Sequence, residues 1–394
     1  MTYAQAIKYL ASLEKFGINL GLERVTRLLG ELGDPQLKFR SLHVAGTNGK
    51  GSTCAMIASI LKEAGYKTGL YTSPHLLKFN ERFKINGRDI SNQDFAKGIS
   101  LIKRIVEEPR IHSQVPIDNP TVFEALTALA FWYFAKQKVD YAVVEVGMGG
   151  RLDATNVIRP LVSVITNIEL EHTAVLGSTI AKIAAEKAAI IKPGVPVVTA
   201  ETKAEALRVM KHRADKDRSV LVQVGSRAAG FDLGLLGEHQ QANAACAVAA
   251  VRLAGIQADR TAILAGLRKV AWPGRFQVVA RKPLTILDGA HNPAGAQVLA
   301  RTLAERFPGK KFVFVMGVQK DKDAPPMLRE FSKVAQEIII TRSANKAAAA
   351  TVARQKAIGL EQALRLSAGR DRVITGSLYL VADALKNLDA AGRP

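Results

Sequence analysis

A glycine-rich turn that carries a lysine separates an apolar run from a helical pattern near residue 46. Within Ser41–Ser52, which reads Ser-Leu-His-Val-Ala-Gly-Thr-Asn-Gly-Lys-Gly-Ser, Leu42–Ala45 predicts a buried strand and Lys50 begins a helix. Glycines allow a backbone to approach phosphate oxygens, and the free N–H groups at a helix start attract anions. A lysine adds positive charge, and a hydroxyl can bind Mg²⁺. The segment therefore predicts a nucleotide-phosphate site made of Thr47, Asn48, Gly49, Lys50, Gly51 and Ser52.

The spacing of this turn departs from the common phosphate-loop pattern Gly-x-x-x-x-Gly-Lys-Ser/Thr. Val44 stands where the first glycine would fall, and Gly51 separates Lys50 from Ser52. A turn with a purely structural role is therefore an alternative. The Gly-Lys pair at a junction between strand and helix favours the phosphate site.

Three further polar residues lie at the ends of predicted strands. Ser73 and His172 follow apolar strands, and Glu145 ends the near-continuous apolar run Val139–Val146. We call the segment Gly46–Ser52 the phosphate turn. Because the carboxyl ends of neighbouring parallel strands meet at one crevice, these side chains should face the phosphate turn and form a Mg²⁺-nucleotide site. Taken singly, each has an ordinary explanation as a turn residue, a structural charge or a surface histidine. Histidine is also an unusual ligand for Mg²⁺, which prefers oxygen.

Predicted strands alternate with predicted helices along the whole chain, which is typical of α/β proteins with a mostly parallel sheet. We therefore predict a P-loop-type, doubly wound N-terminal ATP-binding domain over residues 1–272. The pattern restarts near Trp272, and we predict a smaller Rossmann-like α/β domain over residues 273–394. The stretch Asp215–Gly237 is less regular and predicts one or two short strands.

A polar turn follows a buried strand in the second predicted domain. The strand Leu284–Leu287 precedes Asp288, His291 and Asn292, and a helix follows Pro293. A capping turn explains this pattern. A contact to a nucleotide is the alternative.

Composition limits the class of protein. The formal net charge is +20, but the basic residues are scattered and aromatic residues make up only 6% of the chain, so we favour anionic small ligands and keep nucleic acid as a minority hypothesis. Two cysteines predict no disulfide framework. No apolar run reaches the length of a membrane span, and the N-terminus lacks the pattern of a signal peptide. These features lead us to expect a cytoplasmic protein.

Several motifs together resemble the folylpolyglutamate synthase/dihydrofolate synthase family of the Mur ligase superfamily. They run in the family's order from about residue 18 to residue 380, and several are specific to the folate branch. The motifs are Gly46–Ser52, Tyr71–Leu76, Phe79–Arg82, Glu145–Asn156, Trp272–Arg275, Asp288–Pro293 and Thr375–Tyr379. The resemblance implies that residues 1–272 are the central-type and residues 273–394 the C-terminal-type Mur ligase domain.

The resemblance implies an ATP-dependent ligase that adds L-glutamate to a folate, to 7,8-dihydropteroate, or to both. A substrate carboxylate would attack the γ-phosphate of MgATP, and the amine of glutamate would then attack the acyl phosphate. Positioning and charge neutralisation dominate such phosphoryl transfer. The implied cofactors are two Mg²⁺ ions, with ATP as co-substrate. The expected partners are small molecules alone, with no nucleic acid and no membrane, and the chain is expected to be a monomer.

The family's functional residues carry over to matching positions of this chain. Lys187 would otherwise be interpreted as a lysine on a helix surface, but it matches a carbamylated metal ligand. The implied catalytic residues are Lys50, Glu145, His172, Lys187 and His291, and the implied metal ligands are Ser73, Glu145, His172 and the Lys187 carbamate. Asn243, Arg275 and Asp288 would join the phosphate turn in binding ATP. The implied folate- or pteroate-binding residues are Asn19, Leu20, Gly21, Leu22, Thr121, Val122, Phe123, Glu124, Leu152, Asp153 and Ala154.

Two other functions compete with this one. A Mur ligase acting on peptidoglycan precursors is expected to carry a further N-terminal domain, and only about 40 residues precede the phosphate turn. A nucleotide-dependent regulator that binds nucleic acid is motivated by the charge of +20. The scattered basic residues and the turn at Asp288–Pro293 argue against it.

Overall fold

The computed structural model describes residues 1–108, 118–225, 230–345, 347–353 and 355–390, and these residues form two compact units. The first unit is Met1–Leu233 with Gln241–Val270, and the second is Gly234–Gln240 with Ala271–Pro394. This division differs from the predicted boundary at residue 272 because Gly234–Gln240 groups with the second unit, where Leu236 packs against the core.

The strands of the first unit form one mostly parallel sheet. They are β1 (Arg40–Ala45), β2 (Thr68–Tyr71), β3 (Phe83–Ile85), β4 (Arg88–Asp89), β5 (Tyr141–Glu145), β6 (Val162–Ile165), β7 (Val197–Thr199) and β8 (Leu221–Gln223). Their order is β4-β3-β2-β5-β1-β6-β7-β8, and the pairs from β2 to β8 are parallel. All five residues of β5 are buried, so helices and loops cover both faces of the sheet, as apolar parallel strands require.

The helices of the first unit supply the remaining apolar surfaces of its core. They are α1 (Tyr3–Leu13), α2 (Glu23–Glu31), α3 (Lys50–Glu63), α4 (Asn92–Glu107), α5 (Val122–Lys136), α6 (Thr173–Leu176), α7 (Ile180–Ala188), α8 (Ala204–Lys216), α9 (His239–Leu253) and α10 (Arg260–Lys269). The first two residues of α9 group with the second unit. One apolar cluster joins α1, α2, α4 and α5 to β5, and another joins α7 and α8 to β6 and β7. These packed layers hold the strands whose ends carry the polar residues.

The second unit contains a smaller mixed sheet. Its strands are β9 (Gln277–Arg281), β10 (Leu284–Leu287), β11 (Phe312–Met316), β12 (Ala335–Arg342), β13 (Thr351–Val352), β14 (Gln355–Lys356), β15 (Ile358–Gly359) and β16 (Arg372–Thr375). The sheet order is β15-β12-β11-β16-β10-β9, with only β9 antiparallel, and β13 pairs with β14. Its helices are α11 (Pro293–Arg306), α12 (Ala324–Ser332), α13 (Leu360–Leu366) and α14 (Leu378–Ala390).

These two sheets confirm the predicted α/β class with a mostly parallel N-terminal sheet and a smaller second sheet. Within Asp215–Gly237, the described residues contain the single strand β8, and residues 226–229 of that prediction lie outside the described part. In the described part of the chain, no helix combines the length and apolar character that a membrane crossing needs.

Candidate active site

The ends of four neighbouring strands carry the polar residues selected from the sequence. In the order β2-β5-β1-β6, Ser73 follows β2, Glu145 ends β5, the phosphate turn follows β1 and His172 follows β6. The parallel register places Val44 of β1 opposite Glu145, immediately before the phosphate turn. The predicted convergence at one edge of the sheet therefore agrees with the strand order.

The phosphate turn is a left-handed turn into a buried helix. Gly46 and Gly49 have φ of +144° and +81°, and Gly49 is the N-cap of α3. The Lys50 amine donates hydrogen bonds to the carbonyl oxygens of Gly46 and Thr47, at 3.1 and 3.0 Å. The lysine therefore lies over the turn, where it places a positive charge beside the N–H groups at the start of α3.

The segment after β6 braces this turn, and the sequence interpretation missed it. The Thr47 N–H donates to the Asn167 carbonyl at 2.8 Å, and the Asn48 N–H donates to Asn167 Oδ1 at 2.8 Å. The Thr166 hydroxyl donates to the Asn48 carbonyl at 2.6 Å, and the Glu169 N–H donates to Thr47 Oγ1 at 3.0 Å. Their only signal in the sequence is their position immediately after an apolar strand.

Gly49→Ala is expected to abolish detectable ATP binding, because two features require glycine there. Its φ of +81° strains any other residue, and an added Cβ would collide with the Asn243 side chain. Isothermal titration with ATP measures the effect. Gly30→Ala is the matched control, since Gly30 lies in α2 with open space around it. Wild-type affinity of the Gly49 variant would contradict the assigned geometry.

Lys187 is a buried lysine that contacts the phosphate turn. Its side chain is 5% exposed, and its Nζ donates to the Gly46 carbonyl at 2.9 Å. Burial, followed by repulsion from Lys50, lowers the pKa of Lys187 to about 7. A substantial fraction of the amine is therefore neutral and nucleophilic at neutral pH. The ordinary explanation, a lysine on a helix surface, is wrong because α7 turns this residue into the protein.

Glu145 and Ser73 form a direct contact across adjacent strand ends. Glu145 is 4% exposed, and its Oε2 accepts a hydrogen bond from the Ser73 N–H at 2.8 Å. His172 adopts φ of +51° as the N-cap residue of α6. Among the described residues, no group of three His, Cys, Asp or Glu side chains is arranged to hold a metal. A buried carboxylate beside a serine nevertheless fits Mg²⁺, which commonly takes one or two carboxylates together with substrate phosphates.

Two of the three predicted folate stretches are linked by a residue that the sequence interpretation missed. Arg24 forms an ion pair with Glu124 at 3.0 Å and donates to the Asn19 carbonyl. Glu124 also accepts a hydrogen bond from the Thr121 N–H at 2.7 Å, in the capping box that begins α5. Arg24 therefore holds the segment around Asn19 to the start of α5.

The third stretch predicted to bind folate surrounds a buried carboxylate. Asp153 accepts hydrogen bonds from the N–H groups of Met148 and Thr155, at 2.9 and 3.0 Å. Burial raises the pKa of Asp153, and these hydrogen bonds oppose that shift. The loop after β5 therefore folds around this side chain.

Arg275, Asp288 and His291 belong to the second unit and not to the strand ends described above. The Asp288 carboxylate accepts hydrogen bonds from the Phe276 and Ala290 N–H groups at 2.7 and 2.8 Å. Burial raises the pKa of Asp288, and the Arg275 guanidinium opposes this effect. His291 Nδ1 lies 2.8 Å from the Gly289 carbonyl.

The capping explanation is correct for Asn292 in the same turn. Its Oδ1 accepts a hydrogen bond from the Gly295 N–H at 2.7 Å, at the beginning of α11. The turn thus caps the start of α11 and also contains Asp288 and His291.

Two family models match the chain in the order of its two units. Residues 44–196 match the model described as "Mur ligase middle domain". Residues 274–384 match "Mur ligase, glutamate ligase domain". The two matches together include the phosphate turn, Glu145, Lys187 and the turn at Asp288.

Similar proteins and structures cover nearly the full length. The Dihydrofolate synthase/folylpolyglutamate synthase of Bacillus subtilis is 40% identical over 366 residues, which cover 85% of this chain and 84% of that protein. The structure of E. coli FolC in complex with DHPP and ADP is 30% identical, has a TM-score of 0.89 and covers 99% and 98% of the two chains. The Mycobacterium tuberculosis Folylpolyglutamate Synthase complexed with ADP and AMPPCP is 32% identical, has a TM-score of 0.89 and covers 100% and 99%.

Proposed function

Because the chain belongs to the folylpolyglutamate synthase/dihydrofolate synthase family of Mur ligases, we propose that it uses ATP to join L-glutamate to a folate or to 7,8-dihydropteroate. The family resemblance inferred from the motifs is confirmed, and the chain is an ATP-dependent acid–amino-acid ligase. The observation that carries the proposal is the position of the phosphate turn after β1, between β5, which ends in Glu145, and β6, which His172 follows. The relatives of this chain are named for this reaction.

The proposed reaction has two steps, and both take place at the same carboxylate of the folate or pteroate substrate. A carboxylate oxygen of the substrate attacks the γ-phosphorus, the bond from that phosphorus to the β–γ bridging oxygen breaks, and ADP and an acyl phosphate form. The neutral amine of glutamate then attacks the acyl carbon, the bond from that carbon to the phosphate oxygen breaks, phosphate leaves, and the nitrogen releases a proton as the amide forms. Lys50, whose amine donates to the Gly46 carbonyl, and the N–H groups at the start of α3 would neutralise the phosphate charge that increases during transfer.

We further propose that two Mg²⁺ ions bind at Ser73, Glu145, His172 and a carbamylated Lys187. When bound, Mg²⁺ would neutralise phosphate oxygens and draw electron density from the γ-phosphorus. The low pKa of Lys187 favours attack of its neutral amine on CO₂, in which an N–C bond forms, the nitrogen releases one proton, and an anionic carbamate with oxygen donors results. The hydrogen bond from the Ser73 N–H fixes the Glu145 carboxylate beside the serine.

The remaining residue assignments are proposals of the same kind. Asn243, beside Gly49, would contact ATP, as would Arg275 and Asp288. His291 would be a catalytic residue together with Lys50, Glu145, His172 and Lys187. The three stretches Asn19–Leu22, Thr121–Glu124 and Leu152–Ala154 would bind the pterin or folate. We also propose that the first Mur-type domain ends at residue 272 of the sequence, that the second begins at residue 273, and that the chain acts as a monomer. The two cysteines are free and buried, as is common in the cytoplasm, which is the proposed location.

The test of this function is a substrate panel with a mass readout. Purified protein is incubated with MgATP, L-glutamate and, separately, dihydropteroate, tetrahydrofolate and a peptidoglycan-precursor nucleotide. We expect ADP release that depends on glutamate and on a pteroate or folate, with a product heavier than its substrate by one glutamyl residue. ADP release with the precursor nucleotide alone would favour another Mur ligase, and release stimulated by DNA or RNA would favour the nucleic-acid hypothesis.

A further inference from the structure

A fully buried histidine lies in the strand that leads into the phosphate turn. His43 of β1 is 0% exposed, and its Nε2 lies 2.9 Å from the Thr155 hydroxyl oxygen. Its other ring nitrogen, Nδ1, is also buried and has no hydrogen-bond partner among the residues that the structure describes. Within the described part of the chain, the ring therefore makes one polar contact, and that contact is with the loop that contains Asp153.

The hydrogen-bond chain has a defined direction. The Thr155 hydroxyl donates to Asp153 Oδ1, so it must accept its second hydrogen bond from His43. His43 is therefore the tautomer that carries its proton on Nε2, and the order of donation is His43, Thr155, Asp153. Burial and the nearby Lys192 ammonium lower the pKa of His43 to about 3, so the ring is neutral.

An apolar core role explains this histidine poorly. Burying an imidazole with one unpaired nitrogen costs free energy that an apolar side chain of similar volume would avoid. The ring is nevertheless fully buried and lies near Lys192, whose Nζ donates to the Asn156 carbonyl at 2.9 Å. The contact with Thr155 is thus the feature that distinguishes histidine from leucine at this position.

We propose that His43 is a positioning residue for the folate or pteroate site, because it orients Thr155 and thereby fixes the Asp153 carboxylate. The assignment rests on the proposed function, in which Leu152–Ala154 contacts the pterin or folate. Asp153 also accepts hydrogen bonds from the backbone N–H groups of Met148 and Thr155, and the hydroxyl of Thr155 adds a side-chain hydrogen bond that further restricts its orientation. Because His43 belongs to β1, these hydrogen bonds from His43 through Thr155 to Asp153 connect the strand before the phosphate turn to the loop after β5.

The kinetic test compares KM for the folate or pteroate substrate with KM for ATP. His43→Leu and Thr155→Val remove the donated hydrogen bonds and should raise KM for the folate or pteroate substrate about 10- to 100-fold, with KM for ATP within about twofold of wild type. His43→Gln places an N–H near the position of Nε2, and Thr155→Ser keeps the hydroxyl, so both should recover most of the affinity. The double variant His43→Leu/Thr155→Val should be no worse than the poorer single variant.

Exposed His212 of α8 supplies the matched control, and His212→Leu should leave both KM values unchanged. Thermal midpoints should stay within a few degrees for all variants, since an apolar residue can fill the site of His43. If His43→Leu fails to fold, the pair Thr155→Val and Thr155→Ser still decides the kinetic question. Equal increases of both KM values, or a Gln variant no better than Leu, would reduce His43 to a structural residue and overturn the assignment.

A spectroscopic test is independent of turnover. In ¹H–¹⁵N spectra of full-length enzyme labelled at histidine, the resonance lost in His43→Gln should show a protonated Nε2 and an unprotonated Nδ1 at pH 7. Protonation on Nδ1 would overturn the direction of the chain. If the wild type ligates no pteroate or folate, the proposed function fails and this assignment fails with it. If the wild type is active but the variants do not raise KM for the folate or pteroate substrate more than KM for ATP, only the assignment of His43 fails.

Discussion

Lys187→Ala is expected to lower kcat for glutamate ligation by about 10²-fold or more, with little change in the fold. The Lys187 amine is buried and lies 2.9 Å from the Gly46 carbonyl, at the phosphate turn. If the carbamate forms, this position supplies an anionic oxygen ligand, and alanine supplies neither the ligand nor its charge. Steady-state rates with MgATP, glutamate and the active folate substrate measure the loss.

The pKa of Lys187 adds a second expectation to the same experiment. With a pKa of about 7, the neutral amine rises from about a tenth of the population at pH 6 to about nine-tenths at pH 8, so carbamate formation should increase over that interval. Enzyme in ¹³C-bicarbonate should therefore show a carbamate ¹³C resonance at pH 8 that Lys187→Ala lacks. Lys182→Ala, at an exposed position of the same helix, is the control. A wild-type rate for Lys187→Ala would exclude the lysine from catalysis.

The strands that carry the site could be predicted because they are buried on both faces. Leu42–Ala45 and Val139–Val146 are near-continuous apolar runs, and each ends where glycines or a carboxylate begin. The structure places both runs in adjacent strands, within a few residues of the predicted ends. The antiparallel pair β3–β4 was not predicted, because three- and two-residue strands are too short to show an alternating pattern.

The residues that brace the site could not be predicted, because their partners are distant in sequence. Asn167 accepts a hydrogen bond from Asn48 of the phosphate turn, which lies 119 residues earlier in the sequence. Arg24 donates a hydrogen bond to Glu124, which lies 100 residues later. Glu201 is a further case: it is almost fully buried, and its carboxylate accepts hydrogen bonds from the Thr202 and Lys203 N–H groups and from the Ile168 N–H. Local patterns do not encode such contacts. They depend on the order in which strands assemble into the sheet.

Glu145→Gln is expected to lower kcat by about 10²-fold and to raise the Mg²⁺ concentration needed for half-maximal rate. The substitution keeps the size of the side chain but removes its negative charge. The amide oxygen can still accept the hydrogen bond from the Ser73 N–H, so the amide NH₂ replaces the other carboxylate oxygen. An NH₂ group cannot coordinate Mg²⁺, and the proposed site loses an oxygen ligand as well as a charge.

Initial rates over a range of free Mg²⁺ at saturating ATP and folate measure both effects. Glu63→Gln is the matched control: Glu63 ends α3 and pairs with Lys269 near the surface, where ion pairs contribute little. Circular dichroism should show the same fold for both variants, because the substituted side chain in each is isosteric. A Glu145→Gln enzyme that keeps the wild-type Mg²⁺ dependence would remove Glu145 from the metal site. The contact with Ser73 would then be a structural link between the ends of β2 and β5.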